Sequence, residues 1–323
     1  MLLILFLFCF SKAFEANKLI KEFPVLLDKY FLVSIQYHGT LDPSESVFLN
    51  LDQNVSRNLV KGHVCSGVII NRLTILTAAH CIQPPSQKEL YTISINDPEL
   101  NALPISNAYP VQQIITHENY QFNSKVPNNR LRNDLALIVL QQALDLEVSE
   151  AIKLETKSDI DIGTKSCYTL GYNQHGTLIK SLVSLLTMKE CKELIHNYWT
   201  DQMEELGMEQ WSRFPMVYKG NICAWPQRCD TDTGGPLICH GKLLGIHNWG
   251  TRSEGPECLL IPSVYTSIPY FQGWIRNKTN LLFHAKRKFH FTKKKKNQAS
   301  KASVKILLWL LLIHFAGTCC DRR

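Results

Sequence analysis

Cys229-Asp230-Thr231-Asp232-Thr233-Gly234-Gly235-Pro236-Leu237-Ile238-Cys239 carries two hydroxyls, and that of Thr233 sits in a tight turn between an aspartate and a glycine pair. A short apolar run closed by a cysteine follows at once. Brief runs of apolar or β-branched residues, set off by Gly, Pro or Asn, recur along the chain. They include Phe31-Leu32-Val33-Ser34-Ile35, Gly67-Val68-Ile69-Ile70, Leu135 to Leu140, Leu243-Leu244-Gly245-Ile246 and Val264-Tyr265-Thr266. Runs this short, punctuated this often, predict an all-β architecture and not alternating βα units. Helical spacing stands out at Met188, Cys191, Leu194, Ile195, Tyr198 and Trp199, which recur at intervals of three and four.

The opening stretch resembles the nucleophile loop of trypsin-like serine proteases, with Thr233 where that family carries its attacking serine. Two further segments carry the likeness. Leu76-Thr77-Ala78-Ala79-His80-Cys81 resembles the general-base segment, and Asn133-Asp134-Leu135-Ala136-Leu137 the orienting-aspartate segment. The order His, Asp, nucleophile is one of the known arrangements of that constellation. The resemblance implies two antiparallel six-stranded β-barrels with a C-terminal helix running from Ile268 through Trp274 to Leu282. It assigns residues 20–283 to the protease-like domain.

The resemblance assigns chemistry residue by residue. A hydroxyl is a poor nucleophile near neutral pH unless an imidazole takes its proton, and the imidazole needs a buried carboxylate to hold its tautomer. His80 and Asp134 take those two parts, and Thr233 takes the nucleophile's place. Its extra methyl group restricts the side-chain rotamer in a turn that is already tight. The oxyanion hole falls to the backbone N–H groups of Thr233 and Thr231. Thr231 stands where the family has a glycine, and a β-branched residue there is expected to turn the peptide group away. Loss of one such donor costs about 2.7–4 kcal/mol. Gln227 is assigned to the floor of the specificity pocket, Asn248, Trp249 and Gly250 to one wall, and Ser263 to a position often held by glycine. No carboxylate at the floor attracts Arg or Lys. In the family, a new N-terminal amine released by cleavage pairs with the aspartate before the nucleophile. Lys18-Leu19-Ile20-Lys21 lacks the glycines of the usual terminus, so Asp232 is expected to have another partner.

The cysteines point to an oxidising compartment. Eleven are present. Setting aside Cys9, Cys319 and Cys320 leaves eight, which sequence alone allows to pair in 105 ways. The family resemblance selects Cys65 with Cys81, Cys167 with Cys239, Cys191 with Cys223, and Cys229 with Cys258. Met1 to Phe10 is apolar and is followed by Ser11-Lys12-Ala13, which reads as a signal peptide covering residues 1–13. Asn54-Val55-Ser56 and Asn277-Lys278-Thr279 match glycosylation acceptors at Asn54 and Asn277. The expected protein is therefore secreted and monomeric, with no cofactor and no metal. Its expected partner is a protein or peptide at the former substrate cleft.

Charge is concentrated at one end. From His284 onward eleven Lys and Arg face the single acid Asp321, a balance of +10, which leaves −3 of the net +7 to the rest of the chain. With so little basic charge on the domain, nucleic acid is not expected as a partner. Residues 284–305 read as a basic disordered tail suited to an anionic surface or a glycan. Residues 306–323 form an apolar segment whose run from Ile306 to Phe315 is too short for an ordinary membrane span. Truncation after Leu282 is predicted to leave secretion and thermal stability nearly unchanged while weakening retention on heparin, most visibly at low salt. A truncated chain that fails to fold, or one retained equally well, contradicts this reading.

Overall fold

The computed structural model describes residues 31–38, 62–82, 87–95, 100, 108–120, 131–145, 151–156, 167–173, 176–206, 217–227, 232–250 and 261–282. The proposed signal peptide, Lys18 to Lys21, Asn54, Cys229, Thr231, Cys258 and the tail lie outside the described residues.

Six strands build the first barrel: β1 (Leu32–Tyr37), β2 (His63–Asn71), β3 (Thr74–Thr77), β4 (Tyr91–Ile95), β5 (Ala108–Thr116) and β6 (Ala136–Leu140). They close in the order β1-β2-β3-β6-β5-β4, every pairing antiparallel. Closure removes the exposed sheet edges that short strands would otherwise present. The link from β2 to β3 is tight because the Asn71 side chain accepts a bond from the Leu73 backbone N–H (3.0 Å), the local turn that asparagine favours. Inside the barrel Val33, Ile35, Ile75, Ile93 and Ile138 are fully buried.

The second barrel uses β8 (Cys167–Tyr172), β9 (Leu178–Leu186), β10 (Asn221–Pro226), β11 (Pro236–Cys239), β12 (Lys242–Trp249) and β13 (Ser263–Ser267). Their order is β11-β8-β9-β10-β13-β12, and the pairing of β11 with β12 closes the ring. A two-residue strand, β7 (Lys153–Leu154), adds to β12 in parallel. His240 and Gly241 join β11 to β12, both at positive φ (51° and 69°). Positive φ at both central residues is the requirement of a type I′ hairpin turn. Val183, Leu185, Ala224, Leu237, Leu244 and Tyr265 fill the core beside the Cys167–Cys239 disulfide.

Helix α1 (Met188–Leu206) continues the predicted periodic segment past Trp199. Its start is closed by side-chain bonds. Thr187 Oγ1 accepts from the Glu190 backbone N–H (3.1 Å), and the Glu190 carboxylate accepts from the Thr187 N–H (2.9 Å), a reciprocal capping box. Those bonds to Thr187 hold the Glu190 carboxyl below its ordinary range. Cys191 and Ile195 enter a buried cluster with Val217, Cys223, Trp249, Ile261 and Val264, and Met188, Tyr198 and Trp199 pack against it. The Cys191–Cys223 disulfide ties the helix to β10. The last described element, α2, is the helix over 268–282 expected from the sequence, and a separate compact unit begins within it at Phe271. Asn277 is exposed on that helix. None of the described helices is long and apolar enough to cross a membrane.

Gly67 on β2 shows how tightly the first barrel is filled. A Cβ there would lie 2.8 Å from Ile75 Cγ2 and 3.1 Å from Val33 Cγ2. Gly67→Ala is predicted to destabilise by about 1–3 kcal/mol through overpacking. Ile75→Ala, a cavity-forming change, is predicted to cost about 2–5 kcal/mol. Because the two side chains compete for one space, denaturant titration of the double variant should show a loss smaller than the sum by roughly 0.5–3 kcal/mol. Strict additivity would contradict this packing.

Candidate active site

His80 sits in a single turn of 3-10 helix, Ala79–Cys81, immediately after β3. Its neighbour Cys81 is bonded to Cys65 on β2, so the disulfide pins that turn to the barrel wall. Asp134 lies two residues before β6 in a kink closed by the Leu135 N–H donating to the Asn133 carbonyl (2.9 Å). That bond spans two residues, which makes a γ-turn centred on Asp134. Asn133 occupies the left-handed region (φ 53°), where asparagine is tolerated better than most residues.

The kink brings Asp134 to His80. One carboxylate oxygen accepts from the His80 backbone N–H (2.8 Å), the other meets the ring Nδ1 (2.6 Å). A carboxylate only accepts, so Nδ1 carries the proton and Nε2 is left with a lone pair. Both residues are buried, Asp134 completely. This arrangement can act as a general base through Nε2.

Thr233 lies beside the pair, in the turn before β11. Its carbonyl accepts from the Ser66 N–H (3.0 Å), while the Gly234 N–H donates to the His247 carbonyl (2.9 Å). The turn demands glycine after Thr233. Gly234 has φ +80°, and a Cβ there would stand 2.3 Å from the Ser66 carbonyl oxygen. The Thr233 hydroxyl points at the disulfide, 3.3 Å from Cys65 Sγ and 4.0 Å from Cys81 Sγ. Disulfide sulfurs carry no hydrogen, so the hydroxyl is the donor in a weak bond. Among the described residues His80 Nε2 has Cys81 Sγ at 3.8 Å as its polar neighbour, and no hydrogen bond joins it to Thr233. The hydroxyl proton is therefore given to the disulfide and not shared with the base.

Asp232 has partners that the sequence did not disclose. Its Oδ2 meets His63 Nε2 at 2.9 Å, and its Oδ1 accepts from Ser66 Oγ (2.9 Å) and from the Tyr172 N–H (2.8 Å). Ser34 Oγ lies 2.7 Å from His63 Nδ1 and also accepts from the Gln36 side-chain amide. With the proton on His63 Nε2, that nitrogen donates to Asp232 and Ser34 donates to Nδ1, while Gln36 Oε1 is buried without a partner. His247 Nδ1 donates to the Asp232 carbonyl (3.0 Å), fixing the same residue from β12.

The residues assigned to the specificity pocket are dispersed in character. Gln227 follows β10, is exposed, and donates its backbone N–H to the Leu182 carbonyl (3.0 Å). Asn248 turns its amide to the Leu131 carbonyl (3.0 Å) and Thr266 Oγ1 (3.4 Å). Trp249 is buried within the cluster that α1 packs against. Gly250 lies against Ser263, whose Oγ would be 3.0 Å from an added Cβ. Three of the four disulfides implied by the resemblance are formed, and the Cys229–Cys258 pairing falls outside the described residues. Cys65, His80 and Cys81 also place two sulfurs and an imidazole together, but the sulfurs are spent on each other in the disulfide and offer no thiolate for a metal.

Known proteins carry the same plan. The family model described as Trypsin matches residues 45–275. Trypsin eta of Drosophila melanogaster is 26% identical over 226 residues, covering 65% of this chain and 75% of that protein. Trypsin eta of Drosophila erecta is 26% identical over 227 residues, covering 66% and 77%. The solved structure of neuropsin, a serine protease expressed in the limbic system of mouse brain, superposes with a TM-score of 0.53 at 23% identity, covering 78% of this chain and 95% of that one, and so shares the fold. Matched through most of its length by the family model, and carrying its base and aspartate motifs on a double barrel, the chain belongs to the trypsin family.

Proposed function

We propose that this chain is a secreted trypsin-family homologue with impaired or silent catalysis, which binds a protein or peptide partner across its former substrate cleft. One observation carries the reading: the Thr233 hydroxyl donates toward Cys65 Sγ and not toward His80 Nε2. Proton transfer to a base requires the donor within hydrogen-bond reach. A misplacement of about 1 Å already costs on the order of 100-fold in rate. The side chain has few alternatives, because β-branching leaves few χ1 wells, Ser66 holds the Thr233 carbonyl and His247 holds the N–H of the next residue, Gly234. The three bonds to Asp232 support the same reading, since that carboxylate is committed to His63, Ser66 and Tyr172. Three internal disulfides agree with an extracellular location. The basic tail from Lys286 to Lys305 gives a second contact, to anionic surfaces or glycans.

A working endopeptidase that uses Thr233 is the rival reading, and the assembled His80–Asp134 pair favours it. Peptide hydrolysis by the wild type, Thr233→Ser, Thr231→Gly and the double variant separates the two. The wild type is predicted to be inactive, Thr233→Ser to recover little, and only the double variant to gain substantially, because an oxyanion donor worth about 2.7–4 kcal/mol is restored with the second change. Wild-type turnover at rates near that of the double variant would establish the rival.

A further inference from the structure

The loop that carries Asp134 leaves the first barrel, yet the second barrel supplies many of its restraints. The Leu131 carbonyl accepts from Asn248 on β12, and the Asp134 carbonyl accepts from Thr266 Oγ1 on β13 (3.0 Å). Between them, the Asn133 backbone N–H donates to the Tyr218 hydroxyl in a short hydrogen bond. The guanidinium of Arg132 rests 5.2 Å from the centre of the Tyr218 ring, within the range of a cation–π contact. Three consecutive residues, 132 to 134, thus meet the second barrel through three kinds of contact.

Tyr218 is itself held firmly. Its N–H donates to Asn221 Oδ1 (3.1 Å), and its carbonyl accepts from the Asn221 N–H (2.9 Å), a two-way closure at the entry to β10. Asn221 in turn reaches the Tyr265 carbonyl on β13 (3.4 Å). The phenol therefore projects from a fixed point of the second barrel onto the N–H of a residue in the left-handed region. That residue, Asn133, immediately precedes the γ-turn aspartate. A backbone N–H in such a kink has no strand partner, so without the phenol it would lose its bond and the left-handed geometry its support. Burial pushes the phenol above its ordinary range, so it stays a neutral hydroxyl at any physiological pH.

We propose that Tyr218 is a positioning residue for the His80–Asp134 pair, acting through the Asn133 N–H to hold the carboxylate kink against the imidazole. The inference rests on taking His80 and Asp134 as the general-base pair, but not on whether Thr233 reacts. A base pair kept in register from the second barrel explains how it survives beside a disengaged hydroxyl.

Tyr218→Phe keeps the ring and its contact with Arg132 while deleting the hydroxyl. In the full-length protein, proton NMR should show solvent exchange of the His80 Nδ1–H accelerated about tenfold, the loss of one bond of ordinary net strength. Ile75→Val, a core change in the first barrel, serves as a control for general loosening and should leave that exchange unaltered. An unchanged Nδ1–H in Tyr218→Phe, or equal acceleration in Ile75→Val, overturns the proposal. A test in the wild type needs no variant to fold: the Asn133 amide should be protected from exchange and should open together with the His80 Nδ1–H as temperature rises. An Asn133 amide that exchanges at the free rate overturns it too.

Discussion

The structure hangs on the close approach of the Asp232–Gly235 turn to two strands from different barrels. A Cβ on Gly234 would be 2.3 Å from the Ser66 carbonyl on β2, and one on Gly235 would be 2.4 Å from the Leu170 carbonyl on β8. Only glycine admits backbone this near. With the turn wedged there, Asp232 falls among His63, Ser66 and Tyr172, and Thr233 falls beside the Cys65–Cys81 disulfide. Hydrogen bonds to a charged group contribute about 1.5–3 kcal/mol each. Three of them on one carboxylate make the turn a stiff element, and the hydroxyl's direction follows from it.

Two networks meet at this turn with opposite consequences. Around Asp134 the geometry favours chemistry: a buried carboxylate, a fixed tautomer and a free lone pair at Nε2. Around Asp232 it favours a closed arrangement, in which Ser66 adds a hydroxyl to the carboxylate alongside His63. The Thr233 side chain lies between them and takes the weaker sulfur contact. The base pair is thus assembled, while the hydroxyl beside it bonds to the disulfide and makes no hydrogen bond to the imidazole.

Much of this was legible in the sequence where the signal is local. His80 and Asp134 lie in short motifs with characteristic neighbours, and the strand runs, the helix from Met188 and the helix to Leu282 follow from spacing or resemblance. The capping box of Thr187 and Glu190 was equally local, though it could be read only once the helix start was fixed. What could not be read is set by distance along the chain. His63, Ser66 and Tyr172 converge on Asp232 from two strands more than a hundred residues apart, and no pattern near Asp232 announces them. Tyr218 meets Asn133 across 85 residues for the same reason. The packing behind Trp249, assigned to a pocket wall by resemblance, was likewise not legible: its side chain is buried where α1 and β13 supply the neighbours. Such outcomes depend on tertiary packing, which overrides local pattern.

Covalent labelling reads the state of the hydroxyl most directly. The intact protein, nicked at its N-terminal segment, would be incubated with a fluorophosphonate probe and weighed by mass spectrometry, with the Thr233→Ser, Thr231→Gly double variant as the positive control. The disengaged hydroxyl predicts no adduct on the wild type under conditions that label the double variant. Stoichiometric modification of wild-type Thr233 would show that His80 does activate it and would contradict the account.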